Sequence, residues 1–563
     1  MNKLNQFCLS RKTGKAEWIV LLLYILGTAI ISCFHEPWFD EAQAWQIARC
    51  ASLREILFEI PHYEGHPQLW HLVLFPFARL GMPYELSLAA INIAFCTIAV
   101  ALLLWRSPFP KIVRCLLPFT YFFFYQFGVI SRPYCIMLVA IMLICMTYTK
   151  RNAHPWRYIL SLTLFALTGA YMMAIAGGLC ILWCLEIFAE YRQSKAWGKL
   201  LRDSRVYALL FILVIALFVL YSIIPAEDCY YSGKKAKPLK RFLRLREIVI
   251  IPVDSLFGSL INYDTRIYTL PGEIAEYILG ALVWFALIAF FKTNKSMHFL
   301  LPYLLFCASH ALIQPSAHHL GISTVFLMFV FWLMFEDGKS PEIPPVFTKL
   351  WNSIEAVSIK RLLAGIGAVI AMLPIVYSGV SSGMDIALPY GPKNMVDYIK
   401  DNGLDKHSCM ISWLWFEPDK EKDLSLNALY LEDTIPQKHP EPNIFLTNIN
   451  GNASTILPYF DRNIFTNFNT DDPDTLYMRW GNPKDYESVY KLWHDQGLPE
   501  VLIGYLPIDE IFSEEELEGV TYYWVEEIEF GNIFKLYQQP IKTKIYIRED
   551  ILKEHPDIEI MTY

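Results

Sequence analysis

Residues 17–45 read EWIVLLLYILGTAIISCFHEPWFDEAQAW. Positions 17–34 are almost wholly apolar, and a run of this length is close to the roughly 20 residues that cross a bilayer as a helix. Asp40 and Glu41 follow directly, so we expect them beyond the membrane, at the boundary between water and lipid. Ionised groups are costly at this depth and tend to be functional, although acids also favour the start of any helix.

The adjacent carboxylates of Asp40 and Glu41 are the candidate catalytic groups. Two such groups side by side repel each other, so the pair should titrate as a coupled unit that holds one proton more tightly. A general base at a membrane surface needs these properties. The alternative is that both acids serve only to open an amphipathic helix.

Composition sets the class of protein. The chain has 563 residues, of which 54% are hydrophobic and 15% aromatic, and its mean hydropathy is +0.31. These values predict an integral membrane protein rather than a soluble enzyme. From about residue 384 onward acids outnumber bases about two to one, so the preceding part carries a net positive charge although the whole chain has a net charge of −7.

Cysteine and histidine patterns predict neither a disulfide framework nor a metal site. Most of the 12 cysteines lie inside apolar runs, where a thiol behaves as a small hydrophobic group. His62 and His66 have the spacing of metal ligands on a helix, but Gly65 and Pro67 argue against a continuous helix there. No cofactor is predicted.

Alternating basic connections predict the topology. Positive charge is enriched in cytoplasmic loops, and the run 156–191 has basic residues at both ends, so we divide it into two spans that turn near 169–173. The N-terminus is then cytoplasmic, the C-terminus is outside, and about eleven helices cross. The candidate spans are 17–34, 84–105, 112–130, 133–149, 157–172, 174–190, 205–224, 273–292, 297–314, 317–335 and 361–380.

Two loops on the external side carry most of the polar signal. The loop 35–83 should contain interfacial helices over 40–60, with Ser52 as an N-cap, and a short helix over 67–81. The loop 225–272 is rich in basic residues although it lies outside, and such a loop is tolerated where it meets phosphate from head groups or a ligand. A solvated or lipid-facing patch is the alternative. Its basic residues are Lys234, Lys235, Lys237, Lys240, Arg241, Arg244 and Arg246.

The C-terminal region, 384–563, has shorter apolar runs and more frequent charges than the transmembrane domain, 1–383. Its patterns alternate between helical and strand periods, which predicts an extracytoplasmic soluble α/β domain. The predicted helices are 393–402 and 484–496, and the predicted strands are 409–413, 501–505, 522–529 and 534–538.

The order of these motifs resembles that of the C-type membrane glycosyltransferases. The closest likeness is to the branch of protein mannosyltransferases and aminoarabinose transferases, which have an acid pair after the first helix and a Pro-Pro-Leu-type loop. The residues that carry the resemblance span about 15–380 and comprise Asp40-Glu41, Gly65-His66-Pro67-Gln68-Leu69, Ser131-Arg132-Pro133-Tyr134 and Ala317-His318-His319-Leu320-Gly321. Pro-Gln replaces Pro-Pro at 67–68, and His318 stands where the branch has Arg.

The resemblance implies transfer of a sugar, with inversion, from a polyprenyl-phosphate donor to a glycan, lipid or protein acceptor. It places the protein in a membrane such as the bacterial inner membrane and implies no nucleic-acid partner. Asp40 would be the general base and Glu41 would hold the sugar or tune Asp40. The residues expected to bind the donor or acceptor are His66, Arg132, Tyr134, Lys234, Lys235, Lys240, Arg241, His318 and His319.

Two other functions remain open at this level. A lipid-linked glycan polymerase or ligase would share the basic external loop. A transporter or flippase of envelope glycolipids would also cross the membrane many times, but it should show internal repeats or charges inside its spans. Spans such as 84–105 and 317–335 carry almost no interior charge, which favours the transferase.

Overall fold

The chain divides into two compact units. The helical unit comprises residues 1–30, 91–221 and 237–382, and the mixed unit comprises 31–90, 222–236 and 383–563. The computed structural model describes residue 6 and residues 8–195, 197–229, 244–257, 270–313, 317–411, 451–480, 495–504, 507–530 and 541–561.

Helices form where the apolar runs predict them. Some of these helices begin in one unit and end in the other. The helices that lie wholly or mainly in the helical unit are Lys15–Ser32, Tyr84–Arg106, Lys111–Leu116, Tyr134–Thr147, Pro155–Ala166, Ala170–Ser194, Ser204–Ser222, Ile251–Phe257, Leu270–Thr293, Leu300–Leu312, Leu320–Phe335, Pro345–Ser353 and Val357–Ala387.

Several of these helices have the length and composition of membrane spans. Three shorter apolar helices accompany them, namely Tyr134–Lys150, Met297–Leu312 and Leu320–Phe335. The protein is therefore a helical protein of membrane type. Within the described residues, the 6 helices long and apolar enough to cross a bilayer are Lys15–Ser32, Tyr84–Arg106, Ala170–Ser194, Ser204–Ser222, Ile274–Thr293 and the helix that starts at Val357.

Two of the predicted spans can be compared with the helices directly. The run 156–191 is divided as predicted, into Pro155–Ala166 and Ala170–Ser194. The run 112–130 is not one helix, which corrects the prediction. Pro118, which has no backbone N–H to donate, ends the regular part, and a five-residue π-helix, Phe122–Gln126, follows.

One close helix contact in the helical unit depends on a glycine. Gly178 lies in the helix Ala170–Ser194, which packs on the helix Leu300–Leu312. A Cβ at position 178 would lie 2.5 Å from the Pro302 Cα and 2.6 Å from its Cβ. Real side chains do not approach so closely, so the two backbones can meet here only because residue 178 has no side chain.

The N-terminal part of the mixed unit is a set of short helices, as predicted. Ser52 caps one of them: its hydroxyl accepts a hydrogen bond from Glu55 N at 3.2 Å, and the Glu55 carboxylate accepts one from Ser52 N at 2.7 Å. The prediction of helices over 40–60 with Ser52 as N-cap is confirmed. The helices in this part are Phe39–Cys50, Leu53–Phe58, Pro61–Glu64 and Leu69–Arg79.

The C-terminal part of the mixed unit contains a four-stranded sheet. Its strands are β1 (Cys409–Ile411), β2 (Val501–Gly504), β3 (Tyr522–Phe530) and β4 (Ile541–Arg548), in the order β1-β2-β4-β3. β1 runs parallel to β2, while β4 is antiparallel to both of its neighbours. The helices that accompany the sheet are Pro392–Asp401, Gly451–Ile456, Ile508–Ile511 and Glu549–Leu552.

The predicted α/β character of this region is confirmed, and four predicted elements have counterparts close to their predicted bounds. These are the helix 393–402 and the strands 409–413, 501–505 and 522–529. The predicted strand 534–538 and most of the helix 484–496 lie outside the described residues, and the partner of β3 is β4. The core of the sheet consists of side chains such as Val501, Ile503 and Ile547, each at most 1% exposed.

Gly178→Ala should destabilise the helical unit. The added methyl group must displace the Pro302 backbone, and overpacking of this kind costs about 1–3 kcal/mol. Gly177→Ala is a matched control on the same helix, because no atom lies within 4 Å of a Cβ built there. Thermal unfolding in detergent should give a lower Tm for Gly178→Ala and an unchanged or slightly higher Tm for Gly177→Ala. Equal Tm values for the two variants would contradict the assigned contact.

Candidate active site

The acid pair lies in the first turn of the helix Phe39–Cys50. The helix begins after Trp38, whose backbone is extended with φ −82° and ψ 178°. Carboxylates are favoured in a first turn because the backbone N–H groups there lack helical acceptors. Glu41 Oε2 uses this arrangement and accepts a hydrogen bond from Trp38 N at 3.1 Å.

A buried histidine joins Glu41 to a second carboxylate. His35 Nε2 lies 3.0 Å from Glu41 Oε2, and His35 Nδ1 lies 2.9 Å from Asp385 Oδ2. The three side chains are 5%, 0% and 1% exposed, respectively. Since each ring nitrogen faces a carboxylate oxygen, both must carry a proton to form both hydrogen bonds. His35 is therefore an imidazolium held between two acids.

The pKa of His35 agrees with this arrangement. Burial alone would lower the pKa, because it penalises the charged ring, but the negative charges of Glu41 and Asp385 and their hydrogen bonds outweigh burial. Together they raise the pKa of His35 to about 10. The histidine therefore stays charged at neutral pH.

The structure thus gives the two acids different surroundings. Glu41 is fully buried and interacts with His35 and the backbone of Trp38. Asp40 is half-buried at the start of the same helix. Of the two carboxylates, Asp40 is the more accessible to a substrate.

A further acid lies on the opposite side of the helix contact. Gln43, one turn after Asp40, donates from Nε2 to Glu64 Oε1 at 2.9 Å and accepts at Oε1 from Met478 N at 2.8 Å. Burial raises the pKa of Glu64 to about 7, and the hydrogen bond from Gln43 opposes that rise only partly. A carboxyl group with a pKa near neutrality is suited to acid–base catalysis.

His66, a predicted substrate-binding residue, follows Glu64 in the same unit. Desolvation lowers the pKa of His66, and it lowers the pKa of His71 to about 4, with His66 as the second cause. Both rings are therefore neutral at pH 7 and can act as hydrogen-bond donors or acceptors.

The helical unit brings together three of the predicted binding residues. The ring centroids of Tyr134 and His318 lie 6.2 Å apart, and those of His318 and His319 lie 4.1 Å apart. Tyr171 adds a further ring, 4.3 Å from His319. Arg132 is 8% exposed and precedes the helix Tyr134–Thr147 by two residues.

The basic loop cannot be placed beside these residues. Lys234, Lys235, Lys240 and Arg241 lie outside the described residues, so their role as phosphate ligands stays a prediction. Sequence reasoning missed His35, Glu64 and Asp385. His35 and Glu64 stand within two to five residues of motifs that were noticed, and Asp385 follows a long apolar run, which is a signal of function for any ionisable residue.

The chain was compared with known proteins in three ways. No protein-family model, no curated protein and no solved structure matches it.

The stability of the mixed unit should fall as pH rises from about 6.5 to about 10. The pKa of His35 is raised in the folded protein relative to an unfolded value of about 6.5, so its contribution is complete below that value and is lost as pH passes the folded value of about 10. Thermal unfolding of wild type and His35→Gln in detergent over pH 6–10 should show a gap in Tm of several degrees that narrows with pH.

His154→Gln is the control for this titration, because His154 is exposed and belongs to the other unit. Its Tm should follow that of wild type at every pH. A Tm gap between wild type and His35→Gln that is constant from pH 6 to 10 would show that the charge of His35 does not contribute to stability.

Proposed function

We propose that this protein is a membrane glycosyltransferase that moves a sugar from a polyprenyl-phosphate donor to an acceptor outside the cytoplasm, with Asp40 as general base. The observation that supports it is the division of labour between the two acids. Glu41 forms the buried contact with His35, and Asp40 is left half-buried in the adjacent position.

The proposed chemistry is a single displacement. The Asp40 carboxylate takes the proton of an acceptor hydroxyl while the hydroxyl oxygen bonds to the anomeric carbon. The bond from that carbon to the phosphate oxygen breaks, and polyprenyl phosphate leaves with the negative charge. Such a displacement inverts the anomeric centre. General base catalysis of this kind contributes about 10²–10⁴ in rate.

The contact between Glu41 and His35 gives Asp40 a fixed support. His35 and Trp38 N hold Glu41 at the start of the helix, so the backbone of the neighbouring Asp40 is held as well. A base must lie within hydrogen-bond reach of the proton it removes, and a fixed backbone reduces the conformational freedom that would be lost on binding. In this proposal Glu41 is a positioning residue.

The finer statements about the membrane belong to the same proposal. We propose eleven crossings, a cytoplasmic N-terminus and an external C-terminal region 384–563, in a bacterial inner membrane. Nine apolar helices, six long and three short, in the described residues support a multi-pass protein, and the distribution of basic loops supports the orientation.

Asp40→Asn should lower sugar transfer by at least about 10²-fold, since the amide keeps the size of the side chain and removes its basicity. Transfer can be followed in proteoliposomes by mass spectrometry of envelope glycans, and Tm should be unchanged. Glu41→Gln should instead lower Tm, because it removes one of the two charges that face His35.

Glu64→Gln separates the two candidate bases. If Glu64 were the base, its substitution would abolish transfer and Asp40→Asn would be nearly normal. That pair of results would remove Asp40 from the mechanism. If the proposal is correct, Asp40→Asn has the larger effect on turnover.

Arg132 is proposed to bind the donor phosphate, because guanidinium matches phosphate geometry through two parallel hydrogen bonds. Arg132→Ala should weaken binding of the polyprenyl-phosphate sugar by about 1.5–3 kcal/mol, the range for hydrogen bonds to charged groups. Arg132→Lys should recover only part of the loss. Equal donor binding by wild type and both variants would reject the phosphate role.

A further inference from the structure

Two histidines far apart in the sequence face each other in the mixed unit. His407 Nε2 lies 3.1 Å from His555 Nε2, and the ring planes are inclined at 78°. His407 lies between the short helical turn Leu404–Lys406 and β1, and His555 follows the helix Glu549–Leu552 at the end of β4. Both side chains are half-buried, so solvent can reach them.

A carboxylate orients one of the two rings. Glu500 Oε2 lies 3.1 Å from His407 Nδ1 and also accepts a hydrogen bond from Ser408 N at 2.9 Å. Glu500 in turn is fixed at the start of β2, where its N–H donates to the Ser408 hydroxyl at 3.0 Å. An ionised Glu500 accepts the Nδ1 proton of His407, which leaves Nε2 as the nitrogen with a lone pair.

We infer that His407 and His555 form a binding site for one transition-metal ion of the Zn²⁺, Cu²⁺ or Ni²⁺ type, with Glu500 as the residue that positions His407. Neutral imidazole is a preferred ligand of these ions. A carboxylate on the far ring nitrogen is the usual partner of a metal-bound histidine, since it sets the tautomer and the ring orientation.

The distance between the two nitrogens fits two ligands of one ion. With metal–nitrogen bonds of about 2.0–2.1 Å, a tetrahedral ion separates two ligand nitrogens by about 3.3–3.4 Å. The observed 3.1 Å corresponds to an angle of about 98° at the metal for those bond lengths. A shift of a few tenths of an ångström is therefore enough to admit the ion.

Binding requires only a change of tautomer at His555. In the metal-free pair the short contact needs one proton between the two Nε2 atoms, and the Glu500 contact leaves that proton on His555. When the metal binds, His555 carries its proton on Nδ1 instead, and both Nε2 lone pairs point to the ion. No proton is lost from the neutral pair.

Two side chains do not fill the coordination shell. In the described part of the chain no group of three or more His, Cys, Asp or Glu side chains is placed to hold a metal ion. Solvent or another ligand would therefore occupy the remaining positions, as in sites that exchange their metal or bind a further ligand. Hard ions such as Mg²⁺ prefer oxygen ligands and should not bind here.

The site should also stabilise the sheet. His407 leads into β1, Glu500 into β2, and His555 follows β4, so one ion would connect the ends of segments that are 148 residues apart in sequence. An ion that binds the folded state alone raises its stability with concentration.

The test is metal binding to the full-length protein in detergent, measured by isothermal titration with Zn²⁺ and by electron paramagnetic resonance with Cu²⁺. Wild type should bind one Zn²⁺ per chain, and the Cu²⁺ spectrum should show coupling to two nitrogens. His407→Gln and His555→Gln should each lower the affinity by at least about 100-fold, and Glu500→Gln by about 10–100-fold. Mg²⁺ should give no heat of binding.

His154→Gln is the matched control, because His154 is an exposed histidine in the helical unit, and it should bind Zn²⁺ like wild type. Zn²⁺ should raise the Tm of wild type and of this control but not that of His555→Gln. Tm values without metal show that each variant is folded. The inference is overturned if wild type does not bind Zn²⁺, or if both His407→Gln and His555→Gln bind it as wild type does.

Discussion

The mixed unit depends on a buried positive charge between two negative ones. His35 lies just beyond the first apolar helix, Glu41 opens the next helix, and Asp385 lies near the end of the last apolar helix. Burial of an unpaired charge costs several kcal/mol, so each of the three groups requires the others. The interaction therefore fixes three separate parts of the chain at one point, where the candidate base Asp40 is located.

A second contact acts in the same direction. The buried Glu36, next to His35, accepts hydrogen bonds at Oε2 from Gly391 N at 2.8 Å and from Lys393 N at 3.2 Å. These N–H groups belong to the start of the helix Pro392–Asp401, which carries part of the core of the sheet. Residues from the first loop thus support the fold of the C-terminal region as well as the candidate site.

This dependence explains why the two acids of the pair are not interchangeable. A carboxylate used to neutralise a buried imidazolium cannot also accept a substrate proton without loss of that stabilisation. The more exposed neighbour has no such role among the hydrogen bonds assigned here. In the mixed unit, the requirement for stability and the requirement for catalysis therefore fall on adjacent residues, Glu41 and Asp40.

The sequence alone determined the features that depend on local order. Apolar runs predicted the helices because burial of apolar side chains requires continuous stretches, and Ser52 predicted its cap because the partner Glu55 is only three residues away. The tertiary structure alone decided the pairing of His35 with Asp385, of Gln43 with Glu64 and of His407 with His555. Each pairing joins residues distant in sequence, so no spacing records it. The break in the run 112–130 is of the same kind, since hydropathy reports apolar content and not whether the backbone continues as one helix.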